Sequence, residues 1–150
     1  MDSSFQDADN SVTPHPFAGF WTRFVALILD SFLISVSTLL LFAIFHIPLM
    51  PAPDDYSSQL YGQLVNIIVG WLYYASFESS RYQATPGKQL MGIFVTDEAG
   101  NRISFLRATG RFFAKLLSGL ILLLGYVMAA YTERRQALHD KLAGTLVYKH

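Results

Sequence analysis

Cysteine is absent from the 150 residues of the chain, which excludes disulfide bonds and thiol chemistry. Charged residues are also scarce, at 15% against about 25% in a typical soluble protein. Eleven basic residues balance eleven acidic ones, so the chain lacks the net positive charge that would attract nucleic acid. Hydrophobic residues make up 52% of the sequence. This composition favours a protein whose surface lies partly in lipid.

The first 22 residues contain no lysine or arginine. They therefore lack the basic start of a secretory signal peptide. Three aspartates, Asp2, Asp7 and Asp9, precede a long apolar segment instead. We predict that residues 1–16 form a disordered tail and that the first apolar helix is retained as an anchor.

Three long apolar segments follow the tail. Phe24–Phe45 has 22 residues with Asp30 as its one charge, Leu60–Phe77 has 18 residues without charge, and Leu116–Thr132 has 17. A helix needs about 20 apolar residues to cross a bilayer. We therefore predict a membrane all-α fold, a small bundle of about three transmembrane helices within residues 17–148, with spans near 24–45, 60–77 and 112–132.

Basic residues are concentrated in the loop between the second and third segments, residues 78–111, whereas the proline-rich first loop has none. By the positive-inside rule, this basic loop and the N-terminus are cytoplasmic. The C-terminal tail also carries basic residues, such as Arg134 and Arg135, which a third segment crossing once would place outside. A single crossing and a re-entrant segment bent near Gly119 or Gly125 both remain open.

The basic loop shows signals of local structure. Ile93–Thr96 and Arg102–Phe105 flank a turn at Asp97–Asn101, which predicts a short cytoplasmic β-hairpin. Thr145–Tyr148 is a further β-prone run that could add a third strand if it lies on the same side. Thr85 and Pro86 before Gly87-Lys88 predict either a capped turn or the start of a short helix.

Asp30 is the first candidate site residue. A charge at the middle of a membrane helix costs about 2.5–3.5 kcal/mol and usually faces a partner or a cavity. Arg23 lies two turns away, about 10 Å along the axis, so Arg111 or Lys115 is the better expected partner. Asp30 is either an inert structural tie between helices or a protonatable carboxylate on an ion path. Both interpretations stay open.

Helical spacing also groups the polar residues of the spans. Ser37 and Thr38 follow Asp30 on the first helix, Asn66 lies on the second, and Arg111 and Lys115 lie on the third. Polar faces bring membrane helices together, so we predict that these faces are buried against one another. The histidines lack metal-ligand spacing, and no catalytic or cofactor motif occurs. We predict neither an enzyme nor a metal or cofactor.

Three motifs, in order along the chain, resemble the RDD family of bacterial membrane proteins. They are Gly19-Phe-Trp-Thr-Arg-Phe-Val-Ala-Leu-Ile-Leu-Asp30, Thr85-Pro-Gly-Lys-Gln-Leu-Met-Gly-Ile93, and Arg134-Arg-Gln-Ala-Leu-His-Asp-Lys-Leu-Ala-Gly-Thr145. The arginine and two aspartates of the family name fall on Arg23, Asp30 and Asp140. The resemblance implies a multi-pass protein of the bacterial cell (inner) membrane, with Asp140 packed opposite Arg23. It also implies transport as an often proposed role, with cation–proton antiport as one suggestion.

Two functions are consistent with these features. The first is transport of an ion or small solute through the intramembrane carboxylate of Asp30. The second is an accessory or scaffold protein that recruits partners through its basic loop. The lipid bilayer is the expected partner, with a homo-oligomer and a monovalent cation or proton as candidates; nucleic acid is not expected. Three short spans enclose little volume, so a transport path would lie between protomers.

Overall fold

The computed structural model describes residues 16–120, 128 and 130–150, apart from the side chains of residues 119 and 120. Five helices and two strands are defined in these residues. They are α1 (Phe20–Ile44), α2 (Tyr56–Ser79), α3 (Pro86–Leu90), β1 (Ile93–Asp97), α4 (Phe105–Leu120), α5 (Leu138–Ala143) and β2 (Thr145–Lys149). The predicted N-terminal tail lies outside the described residues except for Pro16.

Helix α1 is the longest element, with 25 residues and a length of about 37 Å. In the described part of the chain, it is the one helix long and apolar enough to cross a membrane. Only Ala26 and Asp30 are buried in it, so most of its apolar side chains are exposed. It ends before His46, which adopts a left-handed backbone (φ 54°). The first predicted span is thus a helix suited to lipid contact.

The second and third predicted spans are less clear. Helix α2 begins where the Asp55 carboxylate accepts a hydrogen bond from the Ser58 N–H at 3.1 Å, and it includes residues 60–77. Its apolar run is less continuous than that of α1, because Gln63 and Asn66 interrupt it. Helix α4 begins seven residues before the predicted third span, and residues 121–127, including Gly125, lie outside the described residues. Among the residues that the structure describes, one candidate membrane helix is present rather than three.

The predicted β-hairpin is wrong in its second strand. Asp97 does form the expected turn, with its carboxylate accepting from the N–H groups of Ala99 (3.0 Å) and Asn101 (2.8 Å). Residues 101–104 form no strand, because Ser104 caps α4 by accepting from the Arg107 N–H at 3.2 Å. Strand β1 pairs instead with β2, antiparallel, with Val95 opposite Val147.

This pairing brings both chain ends of the domain together. The Lys149 N–H donates to the Pro16 carbonyl at 2.8 Å, and the Ala18 N–H donates to the Val147 carbonyl at 2.9 Å. We call this region, with β1 and β2, the sheet end, and residues 45–55 the loop end. The C-terminal strand therefore lies beside the loop that joins α2 and α4. Because the two strands belong to one sheet, residues 93–97 and 145–149 lie on the same side of any membrane that the chain crosses.

Apolar side chains of the two strands pack against the helices at the sheet end. Ile93, Val95 and Val147 are at most 1% exposed, as are Ile103 and Ala108 beside the start of α4. Helix α4 packs across α2, where the Trp71 indole N–H donates to the Thr109 hydroxyl at 3.0 Å. This core holds α3, α4 and α5 around the start of α1 and the end of α2.

Candidate functional site: a buried charge network

Seven charged side chains from five helices are buried, or nearly so, at the sheet end. They are Arg23 and Asp30 of α1, Glu78 of α2, Lys88 of α3, Arg111 and Lys115 of α4, and Asp140 of α5. Six of them form one connected set of ion pairs, which we call the charge network: all except Asp30.

Arg111 is the central residue of the charge network and is 2% exposed. Its Nη1 lies 2.6 Å from Oε1 of Glu78, while its Nη2 and Nε lie 2.5 and 3.0 Å from Oδ1 of Asp140. A planar guanidinium presents several donors in a fixed geometry, so one side chain can join two carboxylates. Arg111 thus connects α2 to α5 through α4.

Glu78 receives three cations on one oxygen. Its Oε1 accepts from Nζ of Lys88 at 2.6 Å and from Nζ of Lys115 at 2.9 Å, in addition to the contact with Arg111. The Lys115 ammonium also lies 3.7 Å from the centre of the Tyr74 ring, a cation–π distance. Burial lowers the pKa of Lys88, and Glu78 only partly offsets this effect.

Asp140 lies in the first turn of α5, where its carboxylate accepts from the Ala137 N–H at 3.1 Å. Its other partners are Arg111 and Arg23, and the contact with Arg23 is the one expected from the family resemblance. Burial alone would raise the pKa of Asp140, but the positive charges around it, foremost that of Arg111, hold the pKa well below its usual range. The carboxylate is therefore ionised.

His139 lies beside this carboxylate, with Nε2 3.5 Å from Oδ1 of Asp140. The side chain is buried, and burial lowers its pKa well below the ordinary value of 6.5. Asp140 opposes this shift, while the cations of the charge network add to it. The imidazole is therefore neutral in the folded protein at neutral pH.

Asp30 lies apart from these ion pairs and is 1% exposed. Its carboxylate accepts hydrogen bonds from the Tyr73 hydroxyl (2.8 Å), the Thr85 hydroxyl (2.6 Å) and the Gly87 N–H (2.8 Å). The prediction that Arg111 or Lys115 pairs with Asp30 is wrong, because both cations are directed to Glu78. Asp30 instead ties α1 to α2 and to the start of α3.

The close approach of α3 to α1 depends on a glycine. A Cβ atom on Gly87 would lie 2.5 Å from the Ala26 carbonyl oxygen and 2.6 Å from Oδ1 of Asp30. No side chain larger than hydrogen fits at those distances. Each residue of the Thr-Pro-Gly sequence therefore has a purpose here. Thr85 occupies the N-cap position and donates its hydroxyl to Asp30 rather than to the helix, Pro86 begins the helix, and Gly87 permits the contact.

The charge network is not neutral. Four cations, Arg23, Lys88, Arg111 and Lys115, face two carboxylates, Glu78 and Asp140. Burying a charge without a matching partner is costly, so an excess of buried cations favours either the loss of a proton or the arrival of an anion. Either change would bring the charge of the network closer to zero.

The other predicted polar residues are not gathered around Asp30. Ser37 is exposed and donates to the carbonyl of Leu33, four residues earlier, at 2.9 Å. Asn66 is exposed as well. Thr38 is half-buried, and its hydroxyl has no hydrogen-bond partner among the described residues. The prediction that these side chains are buried with Asp30 is therefore wrong.

Glu78 and Lys88 were not among the predicted site residues. Glu78 is the one charged residue of α2 and lies in its last turn, where the helix dipole disfavours a carboxylate. An acidic residue at the C-terminal end of a helix needs nearby cations. Its position there was the sequence feature that could have identified Glu78 as part of the site. Lys88 had no comparable signal, because its burial depends on the packing of α3 against the bundle.

The comparisons with known proteins agree with the motifs. The model of the RDD family matches residues 17–144. The uncharacterized protein YxaI of Bacillus subtilis (strain 168) is 33% identical over 148 aligned positions, covering 88% of this chain and 97% of that protein. The uncharacterized membrane protein YteJ of the same organism is 23% identical, covering 98% of this chain and 95% of that protein. No solved structure matches the chain.

Helix α1 is apolar and long enough to cross a bilayer. This agrees with the family match and with the relative that is named a membrane protein. Together they indicate a membrane location. The chain belongs to the RDD family.

Proposed function

We propose that the protein is a multi-pass protein of the bacterial cell membrane that transports an ion or small solute, with the sheet end and the N-terminus in the cytoplasm. The exposed apolar surface of α1 supports the membrane placement. The exposed arginines of the sheet end, among them Arg81, Arg102 and Arg107, support the orientation, because basic residues accumulate on the cytoplasmic side. The loop end then faces outward.

The observation that carries this proposal is the imbalance of the charge network. Lys88 and Lys115 share the carboxylate of Glu78 with Arg111, so three cations crowd one anion. Like-charge crowding and burial both favour the release of a proton from one lysine. A network that gains and loses one charge suits transport coupled to protons, including the exchange of a monovalent cation for a proton.

The test uses the full chain in proteoliposomes and measures proton flux driven by a sodium or potassium gradient. We expect flux above that of empty vesicles for the wild type, and its loss in Lys115→Gln. Removing this lysine lowers the excess of cations from two to one, so the fold should persist. Lys149→Gln is the matched control, because Lys149 is exposed at the end of β2 and should leave flux unchanged. Absence of flux in the wild type would refute transport of these ions.

A second candidate function is an accessory or scaffold membrane protein. The coordination of Asp30 favours it, because three uncharged donors hold the carboxylate and leave it no evident role in conduction. Partners would bind the exposed arginines of the basic loop. If this function is correct, the protein conducts no ions and Asp30→Asn only lowers its stability. Arg102→Glu should reduce co-purification of an acidic partner. Asp30→Asn that abolishes a measurable flux in folded protein would contradict it.

A further inference from the structure

Two amide side chains lie exposed near the middle of α2. Gln63 and Asn66 are one helical turn apart and therefore project from the same side of the helix. Asn66 is about 15 Å from the start of α2 and about 20 Å from its end. Neither amide has a hydrogen-bond partner within the described part of the chain. If α2 crosses the membrane as proposed above, both amides lie at the depth of the hydrocarbon.

An amide in hydrocarbon has a strong need for a partner. Water is absent there, and a polar group left without hydrogen bonds is costly to bury. Amide side chains accordingly hydrogen-bond across membrane helices and hold them together. Leu60 and Ile67 on the same side of α2 are apolar and are 59% and 41% exposed. Gln59, one turn before Gln63, donates instead to the carbonyls of Ala52 and Pro53. The four residues Leu60, Gln63, Asn66 and Ile67 form a surface that we call the amide face.

We propose that the amide face binds the amide face of a second copy of this chain. A carboxamide carries both donors and an acceptor, so Asn66 can pair with Asn66 of an identical helix. All copies share one orientation in the membrane, and a two-fold axis along the membrane normal places equivalent residues opposite each other. The surface is also free of charge, because Glu78 at the far end is the one charged residue of α2. Two copies therefore approach without repulsion.

This proposal rests on the membrane placement but not on transport. It commits to a dimer contact through α2 and leaves the lipid-facing side of α1 available to lipid. A heterologous partner would also satisfy the amides, but self-complementarity is the property that a pair of neighbouring carboxamides offers without further groups.

The experiment is disulfide cross-linking in membranes, which the cysteine-free sequence makes direct. Ile67→Cys lies on the amide face, and Ile68→Cys, the matched control, lies about 100° around the α2 axis from it with similar exposure, 48% against 41%. Membranes are treated with a membrane-permeant oxidant, and dimers are counted on non-reducing gels. We expect a dimer for Ile67→Cys and monomer for Ile68→Cys, because a disulfide requires Cα atoms within about 7 Å.

The role of the amide is tested in the same background. Adding Asn66→Leu to Ile67→Cys should lower cross-linking by about 3-fold to 30-fold, the range expected from losing one interhelical hydrogen bond. Equal cross-linking at both positions, or none at Ile67→Cys, would overturn the proposal. Retention of each variant in carbonate-washed membranes reports the membrane placement separately, so its failure is distinguished from failure of the dimer contact.

Discussion

Arg111 and Asp140 are joined by two hydrogen bonds to one carboxylate oxygen, at 2.5 Å from Nη2 and 3.0 Å from Nε. The two residues lie 29 positions apart in sequence, on α4 and α5. Since Arg111 also contacts Glu78, this pair connects the C-terminal helix and strand to α2. The C-terminal motif of the family is therefore a structural part of the bundle and not a peripheral tail.

Replacing Arg111 should be among the most destabilising changes in the chain. Arg111→Met leaves Glu78 and Asp140 without their common partner, and removing one member of a buried ion pair costs about 3–5 kcal/mol. Arg107→Met is the control, because its 3.6 Å pair with Asp97 is exposed and is worth less than about 1 kcal/mol. Thermal unfolding in detergent measures both. Similar midpoints for the two variants would contradict the central role of Arg111.

Gly87 should not tolerate even one methyl group. In Gly87→Ala the Cβ atom would lie 2.5 Å from a backbone oxygen of α1, so α3 must move away and the hydrogen bonds to Asp30 weaken. We expect a loss of about 1–3 kcal/mol, typical of overpacking. Gly110→Ala is the control, since no atom lies within 4 Å of its Cβ position in α4. That change should stabilise the protein by about 0.5–1 kcal/mol. Equal effects of the two substitutions would refute the steric argument.

The sequence predicted the local features of this fold better than its long-range contacts. The apolar pattern located α1, and Thr85 with its proline located α3. The hairpin prediction was wrong because a turn signal at Asp97 does not specify what structure follows the turn. Ser104 caps a helix there instead of continuing a strand. The partner of β1 lies some fifty residues later, a distance that periodicity does not address.

The site was predicted in part for the same reason. The family resemblance predicted a contact between Arg23 and Asp140, and the two residues do form an ion pair. Helical spacing placed Arg111 and Lys115 on one side of α4, which holds, but it could not say that Glu78 would be their partner. Lys88 is buried because α3 folds back onto the bundle. That packing is a tertiary effect with no counterpart in local sequence.

Acidification below neutral pH should destabilise the protein through His139. Burial lowers the pKa of this imidazole, so the folded state stays neutral while the unfolded chain takes up a proton below about pH 6.5. The unfolded state then binds more protons, and stability falls as the pH falls, by up to about 1.4 kcal/mol per pH unit. Above about pH 6.5 this contribution is fully present. Asp140 does not interfere in this range, because its lowered pKa affects stability only near and below its ordinary value of 3.8.

The measurement is chemical unfolding at several values between about pH 7.5 and 5, where the histidine effect dominates. His139→Gln cannot take up a proton, so its stability should change less over this range than that of the wild type. A variant that loses stability with the same slope as the wild type would show that His139 is not the responsible group.

The orientation of the chain can be tested by labelling single cysteines at Ser57, Asn101 and His150. Because β2 pairs with β1, His150 and Asn101 belong to the sheet end, while Ser57 lies at the start of α2, next to the loop end. We expect Asn101→Cys and His150→Cys to react from the cytoplasmic side, and Ser57→Cys to react with a membrane-impermeant reagent added to intact cells. The unmodified chain has no cysteine and is the blank. Labelling of His150→Cys from outside, with Asn101→Cys protected, would require the two strands to lie on opposite sides of the membrane. The pairing of β1 with β2 and the contact of Arg23 with Asp140 would then both be untenable, since each holds the C-terminal segment beside the start of α1.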